Sequence, residues 1–380
     1  MEFGWTDEQR QLGQAAVEFG RTLNAVLQGP GHPEGFPHQA WLRCAAFGIQ
    51  GLPIPEDLGG QGADLVTTAL VLESLGYGCE DNSLLFSINA HLWTCALPIW
   101  KFGDDAQKRR YLPPLCNGSM VGAHAVTEAG SGSDVFAIAT RAAPYGDHYV
   151  LNGSKIFITN APVADLLIVL ANAGSAGETA DLCALIVERE TPGLTVSRPF
   201  EQLGLRGSPT GEVSFTDCQV PATALLGGRG AGMTVVNTTI EWERSFILAS
   251  ALGTMRRQLE ESVTYASSHR RFGHPIGKNQ SVANRIVDMR VRLDAARLLT
   301  YQLAWLKDQG RRTMLESALV KLFLSQAFVE SSISAFETFG AQAYMADTAQ
   351  ERDVRDALAS RIYSGTSDIQ RVIIGRLLGL

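Results

Sequence analysis

Apolar residues recur at helical spacing through the first third of the chain. Behind Thr6 and Gln9, which stand in capping-box spacing, Leu12, Ala16, Phe19, Leu23 and Val26 predict an amphipathic helix over 6–28. Pro30, Gly31 and Pro33 break it. Further helices are predicted over 36–47, 65–75, 82–102 and 105–116, with a turn-rich stretch at Pro55–Gly62 between them. From about Val121 the pattern shortens. Runs rich in β-branched residues at 148–151, 155–159, 166–170, 182–188, 194–199 and 212–215, punctuated by Gly, Pro, Asn and Asp, predict a small β-domain. Helical period returns after Pro221 and Gly227, Gly228 and Gly230, with helices expected over 233–253, 256–269, 281–309, 314–339 and 354–363. The expectation is an α+β, mainly α chain with helical residues 1–120, a β-domain over 121–228 and a C-terminal helical bundle over 229–380. A dinucleotide fold would instead alternate strand and helix, with a Gly-rich turn after its first strand; Gly130-Ser-Gly-Ser133 lacks that context.

Composition narrows the function classes. The 380 residues are 45% hydrophobic and 19% charged, which is globular, and 32 Lys+Arg against 39 Asp+Glu give a formal charge of −7. Bulk electrostatics therefore disfavour a nucleic-acid partner. No apolar run approaches a membrane span and no export signal opens the chain, so the expected location is the cytoplasm. Six cysteines without a CxxC pair predict buried reduced thiols rather than a zinc site or disulfide framework.

Val126-Thr-Glu-Ala-Gly-Ser-Gly-Ser-Asp134 offers hydroxyls and closely approachable backbone N–H groups beside the predicted strand Lys155–Asn160. Alone, this is ordinary loop chemistry. It is joined in order by Leu52–Gly62, Leu203-Gly-Leu-Arg-Gly-Ser-Pro-Thr210, Val220-Pro221, Arg271-Phe-Gly-His-Pro-Ile276 and Tyr363-Ser-Gly-Thr-Ser-Asp368. With these segments the chain resembles the acyl-CoA dehydrogenase family of flavoproteins nearly end to end.

That resemblance implies FAD and α,β-dehydrogenation of a thioester. It implies Val126, Thr127, Gly132, Ser133, Phe157, Ile158 and Thr159 along the flavin, and Arg270, Phe272, Gln280, Thr366, Ser367 and Asp368 along the rest of FAD. Gly340 falls in the segment that contacts FAD of a neighbouring subunit in the family, and a homo-oligomer, dimer or tetramer, is expected. Ser133, Arg244, Tyr363 and Gly365 are the implied substrate contacts. Two departures stand out: His269 occupies the place of a usual Arg, leaving Arg270 or Arg271 to substitute, and Glu337–Ala343 differs from the family's Gln-x-x-Gly-Gly-x-Gly stretch.

A third departure concerns the base. Many members carry a Glu immediately before the final Gly-Thr, where this chain has Ser364, and a hydroxyl is too weak a base to take an α-proton. A subset including isovaleryl-type enzymes carries its base as a Glu before an Arg on the helix after the β-domain, which matches Glu243 in Ile240-Glu-Trp-Glu-Arg-Ser245. Glu241 and Glu243, two apart, face different sides of a helix. The apolar neighbours of Glu243 predict a raised pKa. Ser364 then keeps only a backbone N–H contact to the thioester oxygen, and its side chain is expected to be dispensable.

The nearest resemblance is to the carrier-protein-tethered subgroup, the prolyl-carrier-protein dehydrogenases, so the expected partners are an acyl or aminoacyl thioester on a carrier protein, or CoA, and an electron acceptor for the reduced flavin. Lys108-Arg109-Arg110 and Arg311-Arg312 are candidate docking charges for an acidic carrier, or simply solvated faces. An isovaleryl-type CoA enzyme, a flavin monooxygenase on the same fold and a non-catalytic flavin-binding protein are the competing readings.

Overall fold

The computed structural model describes residues 4–27, 35–135, 137–174, 181–346 and 348–380. Six helices come first: α1 (Asp7–Leu27), α2 (His38–Ala46), α3 (Leu65–Gly78), α4 (Asn82–His91), α5 (Leu97–Phe102) and α6 (Asp105–Cys116), with a π-helical turn at Leu92–Ala96 between α4 and α5. Their starts follow side-chain chemistry. Thr6 and Gln9 exchange the two capping-box hydrogen bonds at 3.1 Å, Asp64 and Asp81 accept from Thr67 and Leu84, and Asp104 forms a second capping box with Gln107. The predicted break at Pro30, Gly31 and Pro33 lies outside the described residues.

The middle of the chain is one sheet: β1 (Gly122–Ala125), β2 (Arg141–Tyr145), β3 (His148–Thr159), β4 (Leu166–Asn172), β5 (Leu182–Glu188), β6 (Leu194–Val196), β7 (Thr210–Pro221) and β8 (Leu225–Leu226). The order is β6-β7-β3-β2-β4-β5-β8, with β1 lying parallel to β4. β4 and β5 are apolar and buried up to their last residues, Asn172 and Glu188, because both faces are covered. The paired strands β3 and β7 slip register between Lys155 and Ile158, a bulge that turns Phe157 out of the ladder.

The last third comprises α7 (Gly232–Phe246), α8 (Ala249–Ser268), the two-residue strands β9 (Arg270–Arg271) and β10 (His274–Pro275), α9 (Gln280–Asp308), α10 (Met314–Phe339), α11 (Ala349–Ala359) and α12 (Ser367–Leu377). The break expected near Gly253 falls instead at Ile247–Leu248. Gly253 lies inside α8, where a Cβ would stand 2.0 Å from the Glu73 carbonyl oxygen of α3, so its missing side chain serves close helix packing rather than a stop. α12 was not foreseen as a separate helix. α10 is long and apolar enough to cross a membrane by composition, but 61% of its apolar window is buried within the protein, as in a core helix. All six cysteines are free and buried.

Candidate active site

Glu243 projects from the last turn of α7, a helix whose Phe246 stacks on Trp93 with ring centroids 4.8 Å apart. Its Oε1 accepts a hydrogen bond from the Ser364 hydroxyl at 2.6 Å. Burial pushes the Glu243 pKa up, while Ser364, Arg244 and Lys321 act in the opposite direction. Glu241 serves elsewhere: it accepts from Lys307 at 2.8 Å and from Thr313 at 2.9 Å, a structural ion pair between helices. The helix-face argument that separated the two carboxylates therefore holds in the structure. The expected idleness of the Ser364 side chain does not, because that hydroxyl is a direct partner of Glu243.

The turn carrying Ser364 is strained and clamped. Ser364 has φ 57° and Gly365 φ 86°, left-handed geometry that is uncommon for serine. Gln370 Nε2 donates to the Ser364 and Gly365 carbonyls at 3.2 and 2.9 Å. Lys321 Nζ, from the core of α10, donates to the Ser360 and Gly365 carbonyls at 2.7 and 3.3 Å. Burial lowers the Lys321 pKa to about 7, with Glu243 opposing the shift. Among the described residues the Ser364 N–H meets no acceptor. Tyr363 packs against Phe86 with ring centroids 4.5 Å apart, and burial raises its pKa. Arg244 is half-buried, with its Nε unpartnered.

A second group forms where β1 and β3 end. Val126 and Ile138 pack on Val236, with Ile240 against the same cluster, so this loop rests on the helix that carries Glu243. Lys155 Nζ donates to the Val126 carbonyl at 3.0 Å and to Glu128 at 2.8 Å, fixing the loop from below. Above it the surface is open. A Cβ at Gly130 or Gly132 would meet nothing within 4 Å, and Ser133 is exposed. Phe157 is 65% exposed at φ 59°, while Ile158 is buried and Thr159 half-buried.

A third group lies at the end of α8. Arg270 and Phe272 occupy the β9–β10 hairpin, with Phe272 94% exposed at φ 52°, and Gln280 opens α9. Tyr265 stacks between His269 and Phe339 at 4.6 and 4.3 Å, which brings Gly340 to the same end of the helices. Thr366, Ser367 and Asp368 stand apart from this group, following Gly365 directly into α12: Thr366 caps that helix by accepting from Ile369; Ser367 is buried with an unpartnered hydroxyl; exposed Asp368 pairs with Arg371 at 3.0 Å. Glu243, Arg244, Tyr363, Ser364 and Gly365 are thus brought together, Thr366, Ser367 and Asp368 continue the same turn into α12, and the remaining predicted residues fall into the two outer groups. A polar cavity of about 300 Å³ between Asn24, Arg206 and Arg352 contains none of them.

These outer groups, together with the start of α12, suit a flat, anionic cofactor. Two exposed phenylalanines held in left-handed geometry, open glycine edges, the free Ser367 hydroxyl and the Arg270–Arg271 pair are an apolar, hydrogen-bonding and cationic donor set in need of a ligand. Lys321, Gln370 and the Glu128–Lys155 pair were missed from sequence, as was Asp356. Its buried carboxylate accepts from the Leu205 N–H at 2.6 Å, tying the Leu203–Thr210 segment to α11, and burial raises its pKa to about 7. A lone lysine within the apolar run of α10 was the one legible signal.

Comparison with known proteins agrees with this architecture. The acyl-CoA dehydrogenase N-terminal, middle and C-terminal domains match residues 6–119, 123–218 and 230–379. The L-prolyl-[peptidyl-carrier protein] dehydrogenase of Pseudomonas fluorescens is 39% identical, with 100% of both chains covered. Among solved structures, the prolyl acyl carrier protein oxidase AnaB superposes with a TM-score of 0.96 at 43% identity over 99% of this chain and 100% of that one. PigA with FAD and proline gives 0.96 at 35% identity over 100% of each. On its three matched domains, its full-length relatives and its helix–sheet–helix build, the chain belongs to the acyl-CoA dehydrogenase family.

Proposed function

We propose that the chain is an FAD-dependent dehydrogenase that oxidises the α,β carbon–carbon bond of an acyl or aminoacyl thioester tethered to a carrier protein in a biosynthetic pathway. Two of the relatives named above are named for prolyl groups on carrier proteins, a third was solved with FAD and proline, and the donor set of the outer groups and the start of α12 fits FAD. When bound, FAD supplies the two-electron oxidant that accepts the β-hydrogen as hydride.

The protein's own residues do the rest. Glu243 takes the α-proton, and the observation that carries this reading is its half-buried carboxyl, held at 2.6 Å by the turn of the last motif and raised in pKa by desolvation. The unpartnered Ser364 N–H is suited to the thioester oxygen, where negative charge grows as the α-proton leaves. Ser133, Arg244, Tyr363 and Gly365 are the proposed substrate contacts. Val126, Thr127, Gly132, Phe157, Ile158 and Thr159 would face the flavin; Arg270, Phe272, Gln280, Gly340, Thr366, Ser367 and Asp368 would hold its remainder.

We infer a homo-oligomer, supported by Val287, Val291 and Leu298, exposed at helical spacing on α9. The test of function is anaerobic bleaching of the flavin band by a panel of carrier-protein and CoA thioesters. Reduction by CoA thioesters alone would move the assignment to the isovaleryl-type alternative. Glu243→Gln should retain flavin and lose reduction by substrate; near-normal reduction in that variant would overturn the base assignment.

A further inference from the structure

The geometry points to Ser364 as a positioning residue whose side-chain hydroxyl orients the Glu243 carboxylate and stabilises its ionised form. This rests on the reading of Glu243 as the base and adds to it a role for a side chain that the loss of the usual glutamate would otherwise leave without one.

Among the described residues the hydroxyl has one hydrogen-bond partner, Glu243 Oε1 at 2.6 Å. A short O–H···O contact to a charged acceptor is among the stronger hydrogen bonds available to serine. Its direction is set by the backbone. Ser364 is held at φ 57° by Gln370 from α12, and the same turn is held by Lys321 from α10, so the residue cannot relax without breaking those clamps. Strain maintained in this way at a functional position is a mark of use. The arrangement also accounts for the amino acid present: a carboxylate at 364 would stand against Glu243, and two carboxylates at such a distance cannot both ionise readily. Serine supplies a donor where glutamate would supply a competitor.

The charges around Glu243 are few. Arg244 follows it directly on α7, Lys321 faces it from α10, and Tyr363 and Ser364 face it from the final turn. Lys307 and Lys101 lie over the Trp242 ring, and Lys307 is paired with Glu241. Burial raises the Glu243 pKa and the Ser364 hydroxyl restrains that rise. Removing the donor should therefore raise it further.

The test compares Ser364→Ala and Ser364→Gly holoenzymes with the parent. In both, the apparent pKa governing flavin reduction should rise by about one unit, so that below it the rate falls about tenfold and recovers at alkaline pH. Glycine relieves the left-handed strain and alanine does not, so a shared shift identifies the lost hydroxyl, whereas opposite effects identify the backbone. Infrared titration reads the same pKa without turnover, using as the Glu243 band the carboxyl signal absent from Glu243→Gln. An unmoved profile and an unmoved carboxyl band in both serine variants overturn the inference while leaving the base assignment intact. Retained reduction in Glu243→Gln overturns both.

Discussion

The Lys155 ammonium stands 2.8 Å from the Glu128 carboxylate with both side chains withdrawn from solvent. Burial alone would raise the Glu128 pKa, but Lys155 and the Ala139 and Thr140 N–H groups, at 2.6 and 2.9 Å, hold it below its ordinary value. Glu128 thereby binds the two ends of the loop over 128–140, and Lys155 binds the loop to β3 through the Val126 carbonyl. The open glycine edge proposed for the flavin is built on a charge pair beneath it.

Removing one member should cost more than removing both. Lys155→Met leaves a buried carboxylate without its cation and is expected to destabilise the protein by about 3–5 kcal/mol. The Lys155→Met/Glu128→Leu double variant should regain part of that loss, since no uncompensated charge remains. Urea unfolding of the single and double variants, with flavin content measured alongside, checks both. A single variant as stable as the parent would show that the pair carries no structural weight.

The close approach of α3 and α8 gives a second expectation. A Cβ on Gly253 would lie 2.0 Å from the Glu73 carbonyl oxygen and 2.3 Å from the Tyr77 nitrogen, both backbone atoms that cannot swing aside. Gly253→Ala should lower the unfolding midpoint in urea at an unchanged m-value, corresponding to a loss of about 1–3 kcal/mol or more in unfolding free energy. Gly375 in α12 is the control, because a Cβ there meets nothing within 4 Å, and Gly375→Ala should be neutral or slightly stabilising through helix propensity.

Gly253 also shows where sequence reading stops. Periodicity reveals most helices because each buries one face and that face repeats, and the main strands show as short runs rich in β-branched residues between turn residues. A glycine in the same pattern is ambiguous, since a chain terminator and a contact between backbones leave the same letter. α12 is short and carries Ile369, Val372 and Ile373 at helical spacing before the chain ends, a weak periodic signal beside the longer helices. Glu243 was found from its neighbours in sequence and by resemblance. Its bond to Ser364 was not, since the two are 121 residues apart and meet only through the tertiary fold. The left-handed conformations of Phe157 and Phe272 were equally invisible: neither residue type favours them, and only the β3 bulge and the β9–β10 hairpin impose them.

The last expectation concerns pH. His91 is wholly buried at the end of α4. Its Nδ1 accepts from the Gly122 N–H at 2.9 Å and its Nε2 lies 3.1 Å from the Leu115 carbonyl, so the neutral ring with hydrogen on Nε2 satisfies both contacts. Protonating Nδ1 would bring two N–H groups face to face where β1 begins. Burial accordingly lowers the His91 pKa to about 4, against an ordinary value of about 6.5. The unfolded chain binds the proton more readily than the folded one between these values, so the histidine's contribution is fully present above about pH 6.5 and is lost as pH falls toward 4. One such group gives a slope of up to about 1.4 kcal/mol per pH unit. His124, whose pKa burial also lowers to about 4, adds in the same sense, whereas Asp356, raised to about 7, opposes it. His91→Gln, which can offer both a donor and an acceptor but does not titrate, should flatten the dependence of unfolding free energy on pH between 4 and 6.5. Chemical denaturation at half-unit pH steps measures it, and a slope identical to the parent's would mean that His91 does not titrate on unfolding.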